Sequence, residues 1–181
     1  MNSRIGDVYF DACTLWNFAA VDRLDLLEGR YGHRARWTET VQWELRRSLP
    51  FTPYLQSVLG AGWLGEPVEI GGTTAALIEI DNIRRALGAL PGNPTKHLGE
   101  AEIIYHLQYV DRGAFFLTDD QPALDFARRR GLAGFDTWRI LEECFAVHEV
   151  GCPEAFDLLR QMSSAERGVR VPASHMQVCP S

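Results

Sequence analysis

The sequence predicts an α/β fold with a central parallel sheet and crossover helices. Three observations predict it. Val8-Tyr9-Phe10 is an apolar, strand-forming run that leads straight into Asp11 and then into helical spacing at Leu15, Phe18 and Ala19. Ala114-Phe115-Phe116-Leu117-Thr118 is a second such run, closed by Asp119-Asp120 and followed by another helical pattern. Between and after these runs, helical periodicity alternates with short strands, the pattern of parallel βα units. In open α/β sheets ligands bind outside the carboxyl ends of the strands, where both runs place acid.

The 181 residues fit one domain, taken as residues 1–165, with a loosely ordered tail over 166–181. Hydrophobic content of 46% and charged content of 23% are those of a globular chain. A net charge of -6 argues against coating nucleic acid by bulk charge. Cys13, Cys144, Cys152 and Cys179 show neither CxxC nor zinc-like spacing, and are read as free thiols in a reducing compartment. No run reaches the ~20 apolar residues that span a bilayer, and no signal-peptide core is present. A cytoplasmic protein is therefore expected.

In order, the first strand covers about Asp7 to Phe10, with helices from Cys13 to Ala20 and around Leu24, Leu26 and Leu27. Ala35-Arg36-Trp37 reads as a short strand, and Thr38 as the N-cap of a helix to Arg47. Val41, Glu44 and Leu45 lie three and four apart, so Glu44 shares the inward side. Pro50 and Pro53 interrupt the chain before a helix at Tyr54 to Leu59, and a loop with a short strand at Val68-Glu69-Ile70 follows. Thr73 to Leu87 is a helix striped by Leu77, Ile80, Ile83 and Leu87. After a linker at Leu90 to Thr95, a helix runs from Leu98 to Asp111 with a stripe of Ile103, Ile104, Leu107 and Val110. Glu100 falls on that stripe, whereas Glu102 lines up with Tyr105, His106 and Tyr109. Gln121 to Arg130 is a helix ended by Gly131. A strand near Ala133 to Phe135 and helices at Thr137 to Phe145 and after Pro153 complete the pattern.

Asp11, Glu44, Glu100 and Asp119 or Asp120 are thus candidates for one acidic pocket. Each has a plain structural explanation: a helix cap, a solvated face, a helix dipole or a capping turn. The functional reading explains all four together. Two carboxylates about 4 Å apart repel by roughly 4 kcal/mol at an effective dielectric near 20. A converging set needs protons or a cation, and hard oxygen ligands suit Mg²⁺ or Mn²⁺. Such a site suits attack of activated water on a phosphodiester. The five histidines are scattered and none is assigned to catalysis.

At these residues the chain resembles the PIN-domain nucleases, and most closely their VapC-like toxin group. The resemblance is carried by Asp11-Ala12-Cys13-Thr14-Leu15-Trp16-Asn17, then Leu24-Asp25-Leu26-Leu27 with Thr40-Val41-Gln42-Trp43-Glu44. Leu98-Gly99-Glu100-Ala101-Glu102 and Phe116-Leu117-Thr118-Asp119-Asp120 complete it, across roughly residues 5 to 162. It implies a Rossmann-like, three-layer PIN fold and a Mg²⁺- or Mn²⁺-dependent endoribonuclease. Asp11, Glu44, Glu100, Asp119 and Asp120 would hold the cation or orient water, although many members carry Asp where this chain has Glu100. Thr14 and Asn17 would steady Asp11, and Thr118 a water or phosphate oxygen. An RNA substrate, a cognate antitoxin and a homodimer are the implied partners.

RNA also needs positive charge near the acids. The candidates are Arg46, Arg47 and Arg128, within the basic runs Arg46-Arg47 and Arg128-Arg129-Arg130, beside a third run at Arg84-Arg85. The alternative function is a catalytically weak or inactive PIN-fold module that binds RNA or protein. A receiver domain or a haloacid-type phosphatase is disfavoured, because both want an acidic pair early and residue 13 is Cys.

Overall fold

A computed structural model describes residues 6–165 and 168–179. Its centre is a parallel sheet of β1 (Val8–Phe10), β2 (Ala35–Arg36), β3 (Phe115–Leu117) and β4 (Ala133–Phe135), in the order β2-β1-β3-β4. Every pairing is parallel, with Phe10 opposite Leu117 and Leu117 opposite Phe135. Val8, Tyr9 and Phe10 are all buried, which explains an unbroken apolar run instead of an alternating one. The helices are α1 (Ala12–Ala20), α2 (Leu24–Tyr31), α3 (Glu39–Ser48), α4 (Gln56–Leu59) and α5 (Thr74–Ala86), then α6 (Leu98–Tyr109), α7 (Gln121–Arg129), α8 (Thr137–Ala146) and α9 (Glu154–Ser164). The arrangement is α/β, a Rossmann-like three-layer sandwich, as the sequence predicts. No helix among the described residues is long and apolar enough to cross a membrane.

The strand order sets the location of the site. From β1 the chain crosses outward to β2, and from β3 it crosses outward the other way to β4. The connections therefore diverge between β1 and β3, which is where a crevice opens at the carboxyl edge. Backbone bonding continues past the strand ends. Asp11 N donates to Leu117 O at 2.9 Å, and Thr118 N donates to Phe135 O at 3.1 Å. Asp11 and Thr118 are thus held side by side at the mouth of the crevice.

Several expectations are corrected. Leu77 and Val110 are 59% and 63% exposed and leave their stripes. α5 instead buries Ala76, Ile80 and Ile83, and α6 buries Gly99, Ala101, Ile103, Ile104 and Leu107. The expected strand at Val68 to Ile70 is one bridge between Val68 and Thr38. The cysteines are not all free: Cys152 and Cys179 form a disulfide across 27 residues, while Cys13 and Cys144 are thiols. Spacing carries no sign of that pairing, because the fold alone brings the two together. The tail is correspondingly packed over 168–179, with Val169 and Val178 buried and Arg170 bonded to Asp136 at 2.8 Å. Residues 166–167 and 180–181 of the expected tail, and residue 5 at the start of the resemblance, lie outside the described residues.

Candidate functional site

A cleft of about 680 Å³ opens at the divergence of β1 and β3, and Asp11, Glu44, Glu100, Asp119 and Asp120 all line it. Each arrives by a different local route. Asp11 follows the last residue of β1 and is the N-cap of α1, its Oδ1 accepting from Ala12 N at 2.6 Å. Its Oδ2 accepts from Thr118 Oγ1 and from Cys13 Sγ, each at 2.8 Å. The capping explanation is therefore true, yet incomplete. Three bonds leave part of the carboxylate's capacity of about four lone pairs unused, in a group only 3% exposed.

Glu44 enters from α3 and Glu100 from the first turn of α6. Gly99 sits where those helices meet. A Cβ there would lie 3.4 Å from Val41 Cγ2 and 3.6 Å from Glu44 Oε1, so a larger side chain would press on the pocket wall. Glu102 reaches the same region and accepts from Thr40 Oγ1 at 2.9 Å. Helical spacing alone sets Glu102 apart from the stripe. α6 is buried around more of its girth than one stripe, and its second side faces α3.

The late acids divide their roles. Asp119 accepts from Asn17 Nδ2 at 2.7 Å, Thr137 N at 2.8 Å and Thr137 Oγ1 at 2.6 Å, tying α1, β3 and α8 together. Asp120 caps α7 through Oδ1, which accepts from Ala123 N at 2.8 Å, and turns Oδ2 toward His97 Nδ1 at 3.5 Å. Asn17 thus steadies Asp119 and not Asp11. Thr118 is buried against Asp11, and the hydroxyl of buried Thr14 has no hydrogen-bond partner among the described residues.

Burial and like charge act on the pocket together. Burial raises Asp11 to about 7, with Glu100 adding to it and the bonds from Cys13, Thr118 and Ala12 N opposing. Burial raises Glu44 to about 8, assisted by Asp11, Glu100 and Glu102. Glu100 and Glu102 each rise to about 7, again mainly through burial, with Asp120 acting on Glu100 and Glu39 on Glu102. Asp119 rises to about 6 by burial, although its bonds to Thr137 and Asn17 pull it down. The carboxyls therefore resist ionising together, and a cation among them would relieve that resistance. The donor set fits a hard divalent ion: several carboxylate oxygens, with one imidazole adjoining. That imidazole is His97, whose Nδ1 and the oxygens of Glu100 and Asp120 lie within 4.8 Å of one another. Periodicity does not single it out, since it precedes its helix and has no periodic partner.

The basic residues separate. Arg47 lines the cleft and lies over the Trp43 ring at 5.3 Å, and Trp43 and Phe51 line the same wall. Arg46 is exposed on α3 outside the lining. Arg128 is a correction: it donates to Gly134 O at 3.0 Å and lines a separate cleft with Arg139 and Arg170. A run of arginines carries no direction, and here Arg128, in the last turn of α7, faces β4 and bonds Gly134.

Comparison of the chain with protein-family models, curated proteins and solved structures finds no match.

Proposed function

We propose that the chain is a divalent-cation-dependent endoribonuclease of the PIN type, most similar to the VapC-like toxins, hydrolysing RNA phosphodiesters. The observation that carries this reading is the meeting of Asp11, Glu44, Glu100 and Asp120 in one cleft. A Mg²⁺ or Mn²⁺ ion held by Asp11, Glu44, Glu100 and Asp120 would polarise the phosphoryl group and ease deprotonation of water. Asp119, bonded on both oxygens to the buried Asn17 and Thr137, ties the end of β3 to α1 and α8. Glu44 has no hydrogen bond holding its carboxyl among the described residues, so it is free to turn to an ion or to orient a water beside it. Thr118 and Cys13 fix the Asp11 carboxylate. Arg47 offers a guanidinium to a phosphate, and Trp43 and Phe51 offer rings to unstacked bases.

The test is a single-stranded RNA substrate with wild type and Asp11→Asn, in Mg²⁺, Mn²⁺ and EDTA. Cleavage is expected only with wild type and a cation. Cleavage by wild type in EDTA, or undiminished cleavage by Asp11→Asn, would sink the reading. RNA binding without cleavage in any cation would favour the inactive-module alternative.

A further inference from the structure

We propose that His97 supplies a nitrogen ligand to a divalent cation shared with Glu100 and Asp120, biasing the pocket toward Mn²⁺ over Mg²⁺. The inference rests on the cation-dependent reading above.

His97 stands just ahead of α6 with φ 57, in the left-handed region that few non-glycine residues adopt. That position is the helix N-cap, yet the imidazole makes no capping bond to the helix. Its side chain is only 14% exposed and turns its Nδ1 to two carboxylates. Glu100 Oε1 is 3.4 Å away and Asp120 Oδ2 is 3.5 Å away. The contact to Glu100 is a long hydrogen bond, beyond the about 2.7–3.2 Å at which an imidazole donor normally closes on one oxygen. Asp119 closes on its partners at 2.6 to 2.8 Å. The nitrogen of His97 instead stands equally far from both oxygens. Two ligands on one ion with bonds of about 2.1 Å lie roughly 3 to 4.2 Å apart, and both separations fall in that window.

The identity of the third donor decides the preference. Mg²⁺ favours oxygen and holds its waters, whereas imidazole is a ligand of the first-row transition ions. Mn²⁺ is the hardest of these, and so the one that also accepts two carboxylates readily. Glu100 and Asp120 line the cleft with Asp11 and Glu44, and the charge of Glu100 acts on both of those carboxyls, so the trio adjoins the acids of the cleft.

The experiment binds Mn²⁺ to the full chain, unlabelled and labelled with ¹⁵N-histidine, and records pulsed electron paramagnetic resonance spectra. A histidine nitrogen coupling is expected, changing from ¹⁴N to ¹⁵N on labelling and vanishing in His97→Asn. Asn tolerates the left-handed backbone, so the cap geometry is kept. Mn²⁺ affinity should fall by about tenfold or more in that variant, and Mg²⁺ affinity, read by competition, by less than about threefold. Should His97→Asn not fold, a coupling that survives replacement of the other histidines by glutamine assigns it to His97. Mn²⁺ bound in the cleft without histidine coupling overturns this inference and leaves the proposed function standing. Wild type that binds no Mn²⁺ overturns both.

Discussion

Glu44→Gln should make the cation-free protein more stable. Glu44 ionises near 8 in the fold, against an ordinary 4.5. For an acid raised on folding, stability is unaffected below the unfolded value, falls as pH climbs between the two values and levels off above the folded one. At about 1.36 kcal/mol per pH unit, the loss accumulated by pH 7 is about 3 kcal/mol. Glutamine, neutral in both states, removes that loss, which already contains the repulsion from Asp11 and Glu100. Partial exposure of the side chain trims the expected gain to about 2–3 kcal/mol, or roughly 5–10 °C in Tm for a chain of this size. The assay is thermal and urea denaturation in EDTA at pH 4.5 and pH 7. The gain should appear at pH 7 and disappear at pH 4.5. Saturating Mn²⁺ should narrow the difference, because wild type gains about 2.7 kcal/mol at a hundredfold excess over Kd and the variant gains less. A variant less stable than wild type in EDTA at pH 7, or a gain that persists at pH 4.5, would refute the reasoning.

Asp119 and Asp120 should separate in opposite directions. Asp119→Ala strands Asn17 and both Thr137 donors in the interior and should lower stability by about 3 kcal/mol or more in urea denaturation. Asp120→Ala loses one helix cap, about 1 kcal/mol, and should instead weaken Mn²⁺ binding in calorimetry; equal effects of the two on both measurements would contradict the division of roles. Thiol titration in denaturant without reductant should count two reactive cysteines, Cys13 and Cys144. Cys179→Ser should lower stability by about 2–4 kcal/mol, and four reactive thiols in the untreated protein would exclude the bond.

The acids at strand ends were legible because two constraints coincide there. A buried parallel strand must be apolar along its length, so a carboxylate directly after it marks the carboxyl edge. Glu44 and Glu100 were legible from helical spacing. Glu102 was not, since a wheel drawn around one stripe fails for α6, which packs on the sheet and on α3 together. His97 lies before its helix, where periodicity has nothing to say. Arg128 and the Cys152–Cys179 pair depend on chain reversals that only the assembled fold determines. Asn17 was placed at the right site beside the wrong acid: both carboxylates lie within reach of α1, and spacing cannot choose between them.

The wall beside Asp119 comes from the far part of the chain. Gly168 lines the cleft with φ +74, and a Cβ there would stand 3.7 Å from the carbonyl oxygen of Asp119. Beyond it, Arg170 leans over Trp138 at 4.3 Å and Cys179 is anchored to Cys152. The doorway is therefore framed by a strap fastened at its distal end. The edge of the doorway is thus set by residues remote in sequence from the acids on β1, α3 and α6 that it surrounds.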